Sequence, residues 1–470
     1  MVEGRTYKPV IQPNKCQTCN VCIRGCPAEL IPEYREEPNS LRGALYREKG
    51  KRKSRVETLP AASLHQDNLS LPPCQEACPI HQDTRGYVGL IAKGKFKEAL
   101  ELIREVNPLP AVCGFICHHL CEEACFREEV DHPISMRLLK RFVAEYERER
   151  GGATRGLKKK RREKVLVVGS GPAGLAAAND LALLGYGVKI VEALPVLGGM
   201  LSVGIPEFRL PRDILQMEID GVKELGVEME TGHRFRFEEN GKTLRKLGFQ
   251  AAFLSIGAHR SAKLDIPGER LTGVLPGVEF LRDLNLGRGM KIGKNICVIG
   301  GGNVALDVAR SAIRLGAEKM SIYYRRSRDQ MPAIPEEVEE AIREGIEIHF
   351  LASPVRILGR GEKAVGMECV EMKLGDPDKT GRPRPIPMEG SVFKVQADTI
   401  IAAIGQRVDR SSLKGFETHP DGTVRVHPET GATSVKGVFA GGDVVNGPGW
   451  AIDAIAAGKK GAVSIDQYLS

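Results

Sequence analysis

Residues Lys164 to Ala193 read KVLVVGSGPAGLAAANDLALLGYGVKIVEA. A short apolar run, Val165 to Val168, enters the glycine turn GSGPAG, a helical pattern follows, and a second apolar run, Val188 to Val191, ends on Glu192. Strand, turn, helix and strand in that order predict a βαβ unit. Within the turn (Gly169, Gly171, Pro172, Ala173, Gly174), Gly169 permits the tight bend and Gly171 lets the backbone approach a pyrophosphate at the helix N-terminus. Gly174 lets helix and strand pack closely. Glu192 stands where a carboxylate can accept both hydroxyls of a ribose. A bare GxGxxG also occurs as a purely structural turn; here the flanking strands and the terminal acid turn it into a dinucleotide signature.

Working outward, 470 residues leave room for about three domains. The chain is 42% hydrophobic, yet no apolar run reaches the roughly 18 residues of a membrane span. The opening MVEGRTYKPVIQPNK has no apolar segment for a secretory signal, so a soluble, cytoplasmic protein is expected, with no membrane insertion. The net charge of +8 suits a solvated surface or an acidic protein partner, and no nucleic-acid module accompanies it.

Ten of the twelve cysteines fall in the first 125 residues: Cys16, Cys19, Cys22, Cys26, Cys74, Cys78, Cys113, Cys117, Cys121 and Cys125. Such clustering in a large chain without a signal peptide points to metal or iron–sulfur ligation, not to a disulfide framework. Cys297 and Cys369 lie in apolar runs and read as buried strand residues. The spacing Cys16-x2-Cys19-x2-Cys22-x3-Cys26-Pro27 is that of a bacterial ferredoxin motif, with zinc as the alternative occupant. Cys26 either completes that cluster or serves a second one.

Residues 33 to 73 are polar and lack periodicity. Two short helices are expected from Tyr87 onward, and another over 134–150 with Leu138, Leu139, Phe142, Val143 and Tyr146 on one face. Between them Cys113, Cys117, Cys121 and Cys125 recur every four residues. A straight helix would spread the ends of that run about 18 Å apart, too far for one cubane. Either the chain bends, with Gly114 as the candidate, or the thiols divide between clusters.

A second βαβ unit, NICVIGGGNVALDVARSAIRLGAEKMSIYYRRS, carries Gly300, Gly302 and Ala305 in GxGxxA spacing, with Asn303 and Val304 opening its helix. Where an NAD site presents an acid, this strand ends on Tyr324, Arg325 and Arg326. Two guanidiniums there can grip a 2′-phosphate, which favours NADP(H); capping of a strand in solvent is the plainer role.

PLPAVCGFICHHLCEEAC, followed by GSGPAG, GIPEFRLP, GGGNVALD and YYRRSRDQMPA, resembles the small-subunit family of bacterial glutamate synthase. That family includes the NADPH-side domain of dihydropyrimidine dehydrogenase and the large subunit of electron-bifurcating transhydrogenases, and the likeness covers about residues 70 to 470. It implies an α/β fold with two Rossmann-like dinucleotide-binding domains, the NAD(P) domain inserted in the FAD domain, behind an α-helical iron–sulfur domain. The bounds read as a ferredoxin-like motif at 1–35, a linker at 36–73, and the helical domain at 74–150. FAD segments follow at 164–285 and 396–470, with an NAD(P)H domain at 286–395.

The resemblance assigns FAD to the first turn and Glu192, to Gly198, Gly199, Ile205 and Pro206 beside the flavin, and to Gly257, Gly442, Asp443 and Ala451. Residues 251–269 and 397–406 become the crossovers between the domains, and Gly405 joins Gly300, Gly302, Asn303, Val304, Arg325 and Arg326 on the NADP side. The two turns then carry opposite charges, as FAD and NADP require. The family's extra upstream CxxC is missing between Cys26 and Cys74. Six local thiolates complete one [4Fe-4S] cluster and leave two, so a second local cluster needs either Cys26 or a non-cysteine ligand, for which His81, His118 and His119 are candidates. The ten cysteines allow two fully thiolate-bound clusters, and three would need twelve.

The expected function is an FAD-dependent NAD(P)H oxidoreductase subunit. It passes electrons between NADP(H), FAD and [4Fe-4S] clusters to a ferredoxin or a dehydrogenase-type partner in a hetero-oligomer. The hydride is exchanged between cofactors, so no catalytic acid or base is expected. Alternatives are a glutamate synthase (NADPH) small subunit and a non-catalytic electron-wiring subunit.

Overall fold

The computed structural model describes residues 71–148, 160–237, 242–378 and 381–470. The Cys16, Cys19, Cys22 and Cys26 motif, most of the 36–73 linker and the basic connector up to residue 159 lie outside the described residues. The chain divides into two compact units, Met1–Thr154 and Arg155–Ser470.

The first unit is helical: α1 (Pro73–Glu76), α2 (Thr84–Ile91), α3 (Phe96–Arg104), α4 (Pro110–Ile116), α5 (Leu120–Glu123) and α6 (Met136–Arg148). Asp83 starts α2 by accepting the Gly86 N–H at 2.9 Å, and proline opens α1 and α4, where a missing N–H costs nothing. Tyr87, Leu100, Ile103, Leu109, Val112 and Val143 form the core. α4 and α6 pack so closely that a Cβ on Gly114 would stand 2.7 Å from the Arg141 Cα.

Two expectations need correction here. The bend in the cysteine run is not at Gly114, which lies inside α4. It follows at Cys117, which is extended (φ −64°, ψ 136°), and at His119, which is left-handed (φ 46°). On α6 the expected apolar face is only partly inward: Leu138 and Phe142 are 53% and 43% exposed, while Met136, Lys140, Val143 and Ala144 are buried. Phe142 instead joins an aromatic group with Phe96, whose ring meets it edge-on at 5.1 Å, and Tyr146.

In the second unit β1 (Lys164–Val168), α7 (Pro172–Leu183) and β2 (Gly187–Val191) form the expected βαβ unit. α7 begins with proline behind Gly171 and ends in a Schellman motif: Tyr186 N–H donates to Leu181 C=O, Gly185 N–H to Ala182 C=O, and Gly185 has φ +94°. α8 (Met200–Val203), α9 (Arg212–Lys223), β3 (Glu228–Glu230) and β4 (Ala251–Leu254) follow. After β5 (Arg260–Ser261) come β6 (Val274–Pro276) and α10 (Gly277–Asn285).

β7 (Asn295–Ile299), α11 (Asn303–Arg314) and β8 (Lys319–Tyr324) repeat the βαβ design down to the cap, with Ala317 N–H to Ala312 C=O and Gly316 at φ +97°. Beyond them lie α12 (Pro335–Arg343), β9 (Glu347–Phe350), β10 (Ala352–Arg360), β11 (Lys363–Pro377) and β12 (Pro383–Gln396). The chain closes with β13 (Thr399–Ala402), β14 (Gln406–Arg407), β15 (Val438–Ala440), α13 (Asp443–Asn446) and α14 (Ala451–Leu469).

Two parallel sheets result, ordered β15-β4-β1-β2-β3 and β6-β13-β7-β8-β9. Parallel sheets need cover on both faces, so their strands read as apolar runs. The second sheet buries Ile296, Val298 and Ile322 under helices on one face. Cys297, Ile299 and Ile400 meet Ile357, Met367 and Cys369 of the antiparallel β10-β11-β12 meander on the other. Both isolated cysteines are therefore buried strand residues, as expected.

The nested arrangement is present, but the changeover differs from the 286–395 bounds. β6 and α10 precede residue 286, β13 follows 395, and both strands pair in the second sheet. The chain crosses between sheets beside the antiparallel pair β5–β14, Arg260 opposite Arg407. Strands of three or four residues carry too little periodicity to reveal their sheet. Among the described residues no helix is long and apolar enough to cross a membrane.

Candidate functional site

The end of β1 makes the first turn. A Cβ on Gly169 (φ +103°) would lie 2.5 Å from the Ser255 carbonyl oxygen, and one on Gly174 would lie 2.0 Å from the Gly169 carbonyl oxygen. These two glycines serve backbone packing. Gly171 differs: no protein atom lies within 4 Å of where its Cβ would be. It sits at the N-cap of α7, which has no side-chain cap and no acid in its first turn. Open space before uncapped N–H groups is what an anion such as a pyrophosphate requires.

Glu192 is buried beside this turn. Its Oε2 accepts the Ser170 N–H at 2.9 Å and the Ser170 hydroxyl at 2.6 Å, and its Oε1 accepts the Leu194 N–H at 2.9 Å. A carboxylate has about four acceptor positions, so one remains. That corrects the expectation of two ribose hydroxyls: the acid can take one without giving up a protein hydrogen bond.

Gly198, Gly199 and the Gly442–Asp443 turn converge on the same helix end. A Cβ on Gly199 would lie 2.8 Å from the Gly171 Cα, and Gly198 donates its N–H to the Ser170 hydroxyl at 3.0 Å. A Cβ on Gly442 would lie 3.1 Å from the Ala173 Cβ, which places the Asp443 turn beside the first turn of α7. Burial pushes the Asp443 carboxyl up to about 6, against the Gly449 N–H. Pro206 is buried, and the Ile205 carbonyl accepts from Arg212 at 2.7 Å. Gly257 has φ +66°, and Ala451 begins α14.

Sequence reasoning missed Ser170, hidden as a variable position of the glycine turn, and Ser255, whose hydroxyl ties β4 to the Val168 and Gly169 carbonyls. His259, next to Gly257, was also missed; burial holds its imidazole toward neutrality despite the pull of Glu192.

The second turn repeats the division of labour. Gly300 (φ +147°) would bring a Cβ to 2.2 Å from the Ala403 carbonyl oxygen, and Gly301 lies under the Tyr324 ring. Gly302 is open, the nearest atom to its Cβ position being Pro332 Cγ at 3.9 Å, and it caps α11 without a side-chain bond. Asn303 accepts the Ile334 N–H at 3.0 Å, Val304 is half-buried beside it, and Gly405 has φ +128°.

The two arginines part company. Arg325 is exposed and makes no ion pair or hydrogen bond with the described residues. Arg326 is buried, donating to the Pro383 carbonyl at 2.8 Å and pairing with Asp378 at 3.2 Å. The expected double grip is thus corrected: Arg326 is committed to the β11–β12 hairpin. Arg382 from that hairpin donates to the Tyr324 hydroxyl at 2.9 Å and fixes the ring next to Arg325.

A brace links the two halves of this unit. Arg209, from GIPEFRLP, donates to both Asp307 oxygens at 3.0 and 2.9 Å and pairs with Glu337 at 3.0 Å. Arg310 extends it to Glu337, Glu340 and Glu344. Arg212 also bonds Asn285 of α10 at 2.9 Å.

In the helical unit Cys74, Cys78 and Cys113 are buried and Cys117, Cys121 and Cys125 half-buried, all as free thiols. Burial pushes the Cys121 thiol up to about 12 and raises that of Cys117, so ionisation there needs a positive partner. Among the described residues no three His, Cys, Asp or Glu side chains close on a single metal ion. A cubane spreads its thiolates over a wider cage than one ion does. Gln82, just after the Cys78 segment, is buried with both amide atoms lacking a hydrogen-bond partner, an orphan of the kind that a bound group satisfies. His81 is turned to the Gln75 carbonyl at 3.3 Å, and His119 lies 3.8 Å from Glu122. His118 is buried.

Two nested parallel sheets, each opening on an uncapped glycine turn, define a double dinucleotide-binding oxidoreductase with an iron–sulfur module. Comparison with known proteins agrees. Residues 163–458 match the family described as pyridine nucleotide-disulphide oxidoreductase, and residues 68–152 match dihydropyrimidine dehydrogenase domain II, 4Fe-4S cluster. The chain belongs to the pyridine nucleotide-disulphide oxidoreductase family, and it is of the expected FAD-dependent NAD(P)H oxidoreductase class with a 4Fe-4S domain.

The beta subunit of the NADP(+)-dependent formate dehydrogenase of Moorella thermoacetica is 45% identical over 87% of this chain and 62% of its own length. The beta subunit of the NADPH-Fe(3+) oxidoreductase of Geobacter sulfurreducens is 40% identical over 84% and 63%. The chain thus spans less than two thirds of these relatives. The glutamate synthase [NADPH] small chain of Halomonas elongata is 32% identical over 85% of this chain and 88% of its own length. In fold, FprA of Mycobacterium tuberculosis in complex with NADPH superposes with a TM-score of 0.57 at 19% identity, over 66% of this chain and 85% of that one.

Proposed function

We propose that this chain is the NADP(H)-side electron-distributing subunit of a larger redox assembly. FAD would lie on the Gly171 turn with Glu192, Gly199 and Asp443, and NADP(H) on the Gly302 turn with Arg325. The division into a helical iron–sulfur domain and an FAD domain split by the NAD(P) domain is part of the same reading. The observation that carries it is the pair of vacant Cβ positions, at Gly171 and Gly302, each before an uncapped helix. One turn adjoins a buried acid and the other an unpaired arginine. The chemistry such groups supply when bound is hydride exchange at nicotinamide and flavin and one-electron exchange at the cluster.

The protein's own contribution is placement. Uncapped N–H groups hold pyrophosphate, Glu192 orients a ribose, Arg325 selects a 2′-phosphate, and the Arg209 brace holds the two halves together. We count two [4Fe-4S] clusters, one on Cys16, Cys19, Cys22 and Cys26 and one on four of the six thiols in the helical unit. A dehydrogenase-type partner is favoured by the 45% identity to a formate dehydrogenase subunit. Service to a glutamate-forming subunit is the second reading, supported by coverage of 88% of a glutamate synthase small chain.

Anaerobic mixing of the holoprotein with NADPH should bleach the oxidised flavin band, with NADH less effective. A spectrum that stays oxidised would reduce the chain to passive wiring. A pull-down of the native complex, with iron and acid-labile sulfide counts, identifies the partner and the cluster number.

A further inference from the structure

We propose that Lys140 is the buried counter-charge of the [4Fe-4S] cluster in the helical unit and raises that cluster's reduction potential. The inference rests on the cluster reading above. Lys140 lies on α6 where that helix presses on α4, one residue before Arg141, whose Cα meets Gly114 next to Cys113. Its side chain is buried, and its Nζ stands 6.0 Å from the ring centroid of the fully buried Tyr87. Tyr87 in turn donates its hydroxyl to the Met136 carbonyl at 3.0 Å and so fixes the start of α6.

No carboxylate among the described residues forms an ion pair with Lys140. The ionisable groups that face it are the thiols of Cys113, Cys117, Cys78 and Cys121, drawn from three separate segments of the chain. A buried ammonium without an anion is costly, so a lysine that stays charged in such a position calls for negative charge facing it.

Four neutral thiols do not provide that charge, whereas a cubane bound by four thiolates does. It is a dianion when oxidised and a trianion after taking one electron, with no bond made or broken. A fixed positive charge stabilises the trianion more than the dianion, so its removal must lower the potential.

The test uses the full-length chain, reconstituted anaerobically, in redox titrations followed by electron paramagnetic resonance. Lys140→Met and Lys140→Arg are compared with wild type, and the relevant signal is the one that Cys117→Ser abolishes. Lys140→Met should keep its iron and sulfide, and at a fixed solution potential its reduced-to-oxidised ratio should fall at least tenfold, about 59 mV for one electron. Lys140→Arg should titrate like wild type. Iron loss from the methionine variant alone also supports the need for charge. An unchanged or raised potential in Lys140→Met overturns the proposal, as does iron loss from both variants, which would make side-chain shape the requirement. If Cys117→Ser abolishes no signal, the same titration is made on the Ser variants of the other five thiols, and if none of the six abolishes a signal the cluster reading itself fails.

Discussion

Gly302→Ala separates the proposed second dinucleotide cradle from the fold that supports it. Gly302 is extended (φ −95°, ψ 175°), a conformation alanine adopts without strain, and the nearest atom to the new methyl is 3.9 Å away. Reduced freedom of the unfolded chain favours alanine by about 0.4–1 kcal/mol. The poorer N-cap takes back up to about 1 kcal/mol. The apoprotein should therefore melt almost as wild type does. A pyrophosphate lying against Gly302 would meet the methyl as overpacking of about 1–3 kcal/mol, or roughly 5- to 140-fold weaker binding.

Stopped-flow reduction of the flavin by NADPH, under anaerobic conditions, reads that loss directly, and flavin content should not change. The matched control is Gly300→Ala, where φ +147° and a carbonyl oxygen at 2.2 Å leave no room, so that variant should lose thermal stability. Gly171→Ala should do the reverse of Gly302→Ala, releasing flavin while the second turn stays intact. NADPH affinity unchanged in Gly302→Ala would refute the reasoning, because the space before α11 would then not be where the dinucleotide lies.

Arg325→Ala should weaken NADPH but not NADH in the same assay, and added salt should narrow the difference; Arg326→Ala should lower the melting temperature without changing that preference. Arg209→Met leaves the buried Asp307 carboxylate without its partner and should cost about 3–5 kcal/mol, and adding Asp307→Leu should restore most of it. A melting temperature unmoved by Arg209→Met would contradict the brace. Asp443 is raised to about 6 in the fold, above the ordinary carboxylate value of about 3.9. Between those values the folded apoprotein holds more protons than the unfolded chain, so this group's contribution to stability falls as pH rises through the window. Asp443→Asn should flatten that dependence in melts across the acid range, and an identical slope in both proteins would exclude it.

Much of the first cradle was legible because its parts are local: strand, glycine spacing, helix and Glu192 all lie within one βαβ unit. The second was legible for the same reason up to Tyr324. The fate of Arg326 was not, since Asp378 and Pro383 arrive 52 and 57 residues later on a hairpin that no periodicity announced. Lys140 was hidden by chemistry: a lysine between Leu139 and Arg141 reads as a solvated position, and only its packing shows that it faces inward. The bend at Cys117 and His119 was missed because a left-handed histidine carries no glycine-like signal. The second sheet's edges were misplaced because β6 and β13 are too short to show which layer they join.

The two passages of the chain between the sheets run side by side through β5 and β14, two residues each. The inserted half is thus hung along a single short line, like a door on one hinge pin. The chain itself joins the halves only along that line, and what else joins them is non-covalent contact, such as that of Arg212 with Asn285. The Arg209 cluster is another such contact, tying the GIPEFRLP segment to α11 and α12 from outside both sheets' hydrogen bonding.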